Sequence, residues 1–290
     1  MYKLVAVDLD GTLINSYGEI TEHTKEVIQK VQQKGVKFII ASGRPMDSVK
    51  TLSKELKTDK YFIAGNGAII YDLENNEIIY EKYIPKQKLI QIAKVCEENN
   101  IFYNIYTETS VITQNLKYNV LYYFKENQKK EPDKQTNIIV VDNILEFIKN
   151  SEELKCLKIT VCDENKYVFN SIIKKLRNIQ NIEVLDVLHM SKKIIKQGTQ
   201  EIPIEYFFTE ITCSNVDKWQ AIKYLLSILD INPEEVITIG DNINDMMMIQ
   251  NAGIGVCMGQ GPEMIKSVAD IVTENNEEEG VAKALKKIFS

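Results

Sequence analysis

Short apolar runs that each end in a polar cluster limit this chain's fold more than any other feature. Leu4-Val5-Ala6-Val7 ends at Asp8, Lys37-Phe38-Ile39-Ile40-Ala41 at Ser42, and Ile237-Thr238-Ile239-Gly240 at Asp241. Helix-like segments lie between such runs. Thr21 to Gln33 has helical periodicity, with Thr21 as N-cap and Gly35 as C-cap, and Asp47 to Leu56 reads as helix. Val36 to Ala41 and Tyr61 to Ala64 read as the second and third strands. The rhythm returns late in the chain: helix from Asp217 to Leu229, a turn at Asn232-Pro233, strand from Val236 to Gly240, helix from Asp245 to Asn251, strand from Gly253 to Met258 and a closing helix from Gly280 to Phe289. Strands alternating with helices imply right-handed crossovers and a parallel sheet, so the expected class is α/β.

The middle breaks this rhythm. Between Ile84 and Thr212 lie candidate strands Phe102 to Tyr106, Cys156 to Val161, Ile182 to Val187 and Ile204 to Ile211, with candidate helices Lys86 to Glu98 and Lys166 to Asn178. The expectation is a Rossmann-like parallel-sheet core, residues 1–83 and 213–290, interrupted by an α+β domain over 84–212, with Pro85 near the hinge. The aromatic run from Tyr118 to Phe124 reads as core of that inserted domain, because aromatic runs usually pack.

Charge and cysteine usage narrow the partners. Lys plus Arg is 35 and Asp plus Glu is 41, a formal net charge of −6. A mildly acidic chain has no general attraction for nucleic acid or anionic lipid, so neither is expected as a partner. A phosphorylated substrate would need local positive charge from a metal or a placed lysine. Cys96, Cys156, Cys162, Cys213 and Cys257 are scattered, odd in number and never spaced as C-x-x-C. They read as buried thiols in a reducing compartment, without disulfides or zinc. Asp8 breaks any signal-peptide core, and the uncharged stretch Tyr61 to Tyr71 is short of the roughly 18 residues of a membrane span. A cytoplasmic location is expected.

In an open parallel sheet the carboxyl ends of the strands form the ligand crevice. Asp8, Ser42 and Asp241 therefore converge there. Two carboxylates side by side repel, and a cation relieves that. Ligation by oxygen alone suits a hard ion, with magnesium the expected one. Asp10, two residues beyond Asp8, can face the same crevice while Leu9 turns away. The pair offers two roles, attack on phosphorus and handling of protons. Gly11 permits a sharp turn that brings backbone close to an anion, and Thr12 can tie it. Asn66-Gly67-Ala68 reads as a tight loop, while His23 and His189 are isolated and read as structural or surface residues.

Asp8-Leu9-Asp10-Gly11-Thr12, Ser42-Gly43-Arg44, Lys218 and Gly240-Asp241-Asn242-Ile243-Asn244-Asp245 resemble the four motifs of the haloacid dehalogenase superfamily. Ala269-Asp270-Ile271-Val272-Thr273 with Asn276, Glu279, Gly280 and Val281 is similar to the C-terminal segment of its Cof-like subfamily. The chain departs from the pattern at Trp219, where glycine usually follows the motif lysine. The resemblance implies a phosphatase that acts on a small phosphorylated metabolite, with the inserted domain as a cap that closes over the crevice. It implies Asp8 as nucleophile and Asp10 as general acid/base. Magnesium would be held by Asp8, Asp241 and the Asp10 carbonyl. Leu9, Ser42, Gly43, Lys218 and Asn244 would bind phosphate, with Thr12, Asp245 and Arg44 in support. Sugar phosphomutases share these motifs and are the rival enzyme class. A phospho-accepting signalling domain is the rival outside catalysis, and Asp10 and the large insert argue against it.

Overall fold

The structure is a computed structural model that describes residues 2–128, 135–185, 191–197 and 200–290. The chain forms two compact units, Met1–Glu81 with Val216–Ser290, and Lys82–Asn215. Among the described residues, no helix is long and apolar enough to cross a membrane, and all five cysteines are free and buried.

The first unit opens with β1 (Leu4–Val7), α1 (Glu22–Gln33), β2 (Lys37–Ile40), α2 (Met46–Leu56), β3 (Tyr61–Ala64), β4 (Ile69–Asp72) and β5 (Glu77–Glu81). The chain then builds the second unit: α3 (Lys86–Glu98), β6 (Phe102–Thr107), β7 (Ser110–Thr113), α4 (Tyr118–Asn127), β8 (Asn137–Val140), α5 (Ile144–Asn150), β9 (Cys156–Asp163), α6 (Lys166–Leu176), β10 (Ile182–Val184), β11 (Ser191–Gln197) and β12 (Gln200–Cys213). It returns to the first unit with α7 (Lys218–Leu229), β13 (Val236–Gly240), α8 (Met246–Asn251), β14 (Ile254–Cys257), α9 (Glu263–Lys266), β15 (Ile271–Val272) and α10 (Gly280–Ile288).

The core sheet has the order β15-β14-β13-β1-β2, and every pairing in it is parallel. This is the α/β class expected. All four residues of β1 are buried, which explains why the strand is apolar throughout and does not alternate. Leu4–Val7 lie opposite Val236–Ile239 on one side and Lys37–Ile40 on the other. The strand order reverses between β1 and β13, so the crevice of this sheet opens where those two strands end. α1 covers the sheet with a stripe of Thr24, Val27, Ile28 and Val31. Thr21 caps it by accepting the Thr24 N–H, and Gly35, at φ +82°, follows its last turn.

β3 departs from the expected parallel sheet. It meets the core through a single parallel bridge, Ala41 to Ile63, and otherwise joins β4 and β5 in a separate antiparallel sheet. The cause is the Gly65-Asn66-Gly67 turn, where all three residues have positive φ and the chain reverses.

The second unit carries a seven-stranded sheet of order β10-β12-β9-β6-β7-β8, with β11 paired to β12. Its pairings are antiparallel except β7 with β8. α3 buries Leu89, Ile92, Ala93 and Cys96, and α6 buries Phe169, Ile172, Ile173 and Leu176. The aromatic run forms α4, whose Val120 packs in a small core with Tyr106 and Val111. The expected strand Ile204 to Ile211 is longer, Gln200–Cys213, and the expected strand Ile182 to Val187 is described only as Ile182–Val184. Val187 and His189 lie outside the described residues.

Candidate active site

Asp8 directly follows β1, and its backbone N–H donates to Ile239 O at 3.0 Å, which ties it to β13. The chain then turns sharply: Leu9 O accepts from the N–H groups of Thr12, Leu13 and Ile14 at 3.3, 3.0 and 2.9 Å. Gly11 makes this turn at φ +82°. Thr12 Oγ1 donates to Asp241 Oδ1 at 2.9 Å, which joins the turn to the end of β13. A Cβ on Gly11 would stand 2.5 Å from Asp241 Oδ2. Gly11→Ala therefore meets both a disfavoured φ and a carboxylate. The expected outcome is a loss of about 1–3 kcal/mol in urea unfolding and at least about tenfold in turnover.

Lys218 is the first residue of α7, and the Asp217 N-cap accepts the Gln220 N–H at 2.9 Å. Trp219 is 5% exposed and belongs to the core cluster that includes Leu4, Ala6 and Ile222. The indole thus anchors the first turn of α7, and Lys218 is itself 0% exposed. A buried ammonium requires partners, and it has two. Nζ donates to Asp8 Oδ1 and to Asp245 Oδ1, each at 2.5 Å. Asp245 Oδ2 accepts the N–H groups of Asp241 and Asn242, both at 3.0 Å. Both Asp245 oxygens are therefore engaged, and the residue braces Lys218 and the turn after β13.

Oxygens of Asp8, Asp241 and Asp245 lie within 4.8 Å of one another. Three carboxylates share one ammonium, a net of two negative charges when all are ionised. Burial pushes the Asp8 carboxyl well above the usual carboxylate range; Lys218 pulls it down, while Asp245 and Asp241 add to the rise. Burial, then the charge of Asp245, pushes Asp241 up to about 7. Burial alone would lower Lys218, but the Asp245 and Asp8 charges outweigh it and hold the ammonium charged. A site of oxygen ligands with two excess negative charges fits a hard divalent cation. Asp8 and Asp241 are the residues that could hold it, since each keeps an oxygen outside the hydrogen bonds described above.

The remaining predicted residues surround this group. Ser42 is buried one strand over from Asp8, and its Oγ accepts the Arg44 N–H at 3.1 Å. A Cβ on Gly43 would stand 2.6 Å from Asn66 Oδ1, and that oxygen accepts from Asn244 Nδ2 at 3.0 Å. Asn66, read from the sequence only as part of a loop, thus links the loops after β2 and β13 from a left-handed conformation at φ 59°. The signal available for it was Asn between two glycines, which marks a special backbone without naming its partner. The side chain of Asp10 is not one of those three carboxylates; it pairs with Arg44 at 2.6 Å, and its charge adds to the rise of the Asp241 carboxyl. Leu9 is buried and contributes no polar side chain. His23 pairs with Glu279 at 2.7 Å, in line with a structural or surface role.

The chain is similar to known proteins along its whole length. The profile of the haloacid dehalogenase-like hydrolase family matches residues 5–285. Phosphatase YwpJ of Bacillus subtilis is 27% identical over 303 residues, covering 99% of this chain and 100% of that protein. The 5-amino-6-(5-phospho-D-ribitylamino)uracil phosphatase YcsE of the same organism is 25% identical over 284 residues, 98% of this chain and 94% of that one. A solved haloacid dehalogenase-like hydrolase from B. subtilis superposes with a TM-score of 0.80 at 25% identity, covering 98% of this chain and 99% of that one. A strand-end carboxylate group braced by a buried lysine, on a scaffold matched from end to end, makes this chain a member of the haloacid dehalogenase-like hydrolase family.

Proposed function

We propose that the protein is a magnesium-dependent phosphatase that releases phosphate from a small phosphorylated metabolite through an aspartyl-phosphate on Asp8. The observation that carries this reading is the Asp8 carboxylate, oriented by buried Lys218 at 2.5 Å beside Asp241. In the first step an Asp8 oxygen bonds to phosphorus as the bond to the leaving oxygen breaks, and Asp10 gives its proton to that oxygen. In the second, water bonds to phosphorus, the Asp8–phosphorus bond breaks, and Asp10 takes the water proton. Lys218, the Ser42 hydroxyl, Asn244 and the N–H groups of Leu9 and Gly43 hold the phosphoryl oxygens. Thr12 and Asp245 keep Asp241 and Lys218 in place. Magnesium, held by Asp8, Asp241 and the Asp10 carbonyl, would neutralise the carboxylates and the phosphoryl charge. Relatives named as phosphatases support this reading, and the name of YcsE specifies a small phosphomonoester. The test is phosphate release from p-nitrophenyl phosphate and a panel of phosphorylated metabolites. Release should require Mg²⁺ and stop with EDTA; full activity in EDTA would exclude the reading.

Asp241 also sets a pH dependence. Its carboxyl, pushed up to about 7 by burial, binds a proton in the folded state at pH values where the unfolded chain does not. The metal-free protein should therefore gain stability as pH falls from about 8 to about 5, because the folded state then takes up the extra proton. Mg²⁺ competes with that proton, so its apparent affinity should fall as pH drops below about 7. Thermal midpoints against pH in EDTA and in Mg²⁺ measure both effects. Asp241→Asn should lower the slope of the EDTA curve and leave the part that comes from the raised Asp8 carboxyl.

A further inference from the structure

Arg44 spans two loops of the site. Its Nε donates to Asp10 Oδ2 at 2.8 Å and its Nη2 to Asp10 Oδ1 at 2.6 Å. The backbone of Arg44 is held independently: its N–H donates to Ser42 Oγ at 3.1 Å, and its carbonyl accepts the Gly65 N–H at 3.0 Å. Nη1 reaches Ser48 Oγ at 3.4 Å, so the planar head is steadied from α2 as well. The Asp10 side chain is 59% exposed and that of Arg44 31%. Solvent screens an ion pair this exposed, so even with fork geometry its share of the folding free energy is modest. Fold stability alone therefore does not account for a two-pronged contact between the loop after β2 and the turn after β1.

Orientation accounts for it. A lone carboxylate two bonds from the backbone can turn toward the aspartate group or into solvent, and a bidentate guanidinium restricts it to one plane. We propose that Arg44 is a positioning residue for Asp10: the fork fixes the plane of the carboxyl group, and one of its two bonds opens when that oxygen takes up the proton that Asp10 later gives to the leaving oxygen. The proposal rests on the reading of Asp10 as the proton carrier. If it is right, losing Arg44 harms only the steps in which a proton must move. An alkoxide needs that proton as it leaves, whereas p-nitrophenolate departs without it. The ratio kcat/KM covers events only through departure of the leaving group, so it isolates the first transfer.

The experiment compares kcat/KM for glycerol 3-phosphate and p-nitrophenyl phosphate in saturating Mg²⁺. Arg44→Ala should lower the first by about 30–100-fold and the second by less than about threefold, with little change in the thermal midpoint. Asp10→Asn should discriminate in the same direction and more strongly, and the double variant should be no worse than Asp10→Asn alone. Arg44→Lys keeps the charge and loses the fork, so it should discriminate by about tenfold, and it gives the same reading if the alanine variant folds poorly. Equal losses on both substrates in the Arg44 variants, with discrimination intact in Asp10→Asn, would overturn the positioning role alone. So would full rescue of the alkyl substrate by Arg44→Lys. Equal losses in Asp10→Asn would overturn the reading of Asp10 and the positioning role with it.

Discussion

Asp8→Asn is expected to lower turnover of p-nitrophenyl phosphate by at least about 10⁴-fold while the protein remains folded. The amide has nearly the shape of the carboxylate, but its oxygen is a poor nucleophile and carries no charge. Folding should survive because Lys218 retains Asp245 at 2.5 Å and a buried charge held in an unfavourable setting is removed. Steady-state kinetics and a thermal midpoint measured on the same preparation check both halves. A loss of only about tenfold with normal stability would mean that water attacks phosphorus directly and that Asp8 serves the metal alone.

Lys218→Met should show the opposite balance, with a large effect on stability as well as on turnover. Methionine fills a similar volume but leaves Asp8 and Asp245 facing each other without the ammonium. Removing one partner from a buried ionic group costs about 3–5 kcal/mol, because the remaining charges stay desolvated and uncompensated. Urea unfolding in EDTA at pH 8 should show a loss of that size. The loss should shrink as pH falls, since the stranded carboxylates can then take up protons that the unfolded chain does not bind. Added Mg²⁺ should restore part of the stability and little of the turnover, because the phosphoryl group would still lack the lysine. An unchanged urea midpoint would show that Lys218 is dispensable for the packing of this group.

The parallel core was legible because β1, β2, β13 and β14 are largely apolar runs, as strands buried on both faces require, whereas the two-residue edge strand β15 is too short to show a pattern. Strand polarity alone is enough to bring Asp8 and Asp241 to the same end of the sheet. Three features were not legible, each for a physical reason. β3 leaves the core sheet because of the positive φ of Gly65, Asn66 and Gly67, and apolar pattern does not encode the direction of a turn. α4 was read only as a packed run, because Tyr118-Asn119-Val120-Leu121-Tyr122-Tyr123-Phe124 has too many apolar positions to show a helical stripe. The third member of the carboxylate group is Asp245, which the sequence placed only in support, while it left the Asp10 carboxylate free to face the same crevice. Both follow strand-end motifs by a few residues, and only the turn after β13 decides that Asp245 points inward to Lys218.

The placement of β1 in the middle of its sheet bears on how the chain matures during synthesis. Leu4–Val7 emerge from the ribosome long before one of their two partners, Val236–Ile239, is made. Until then β1 can pair only with β2, and its other side stays an open edge able to recruit strands from neighbouring chains. Closing so distant a pairing is also slow, since the entropy of the long loop is lost before the contacts form. Asp8 and Asp241 come together in that same closing event. Nascent chains that stop short of β13 should therefore be inactive and prone to aggregate, and activity should not appear before β13 has closed on β1.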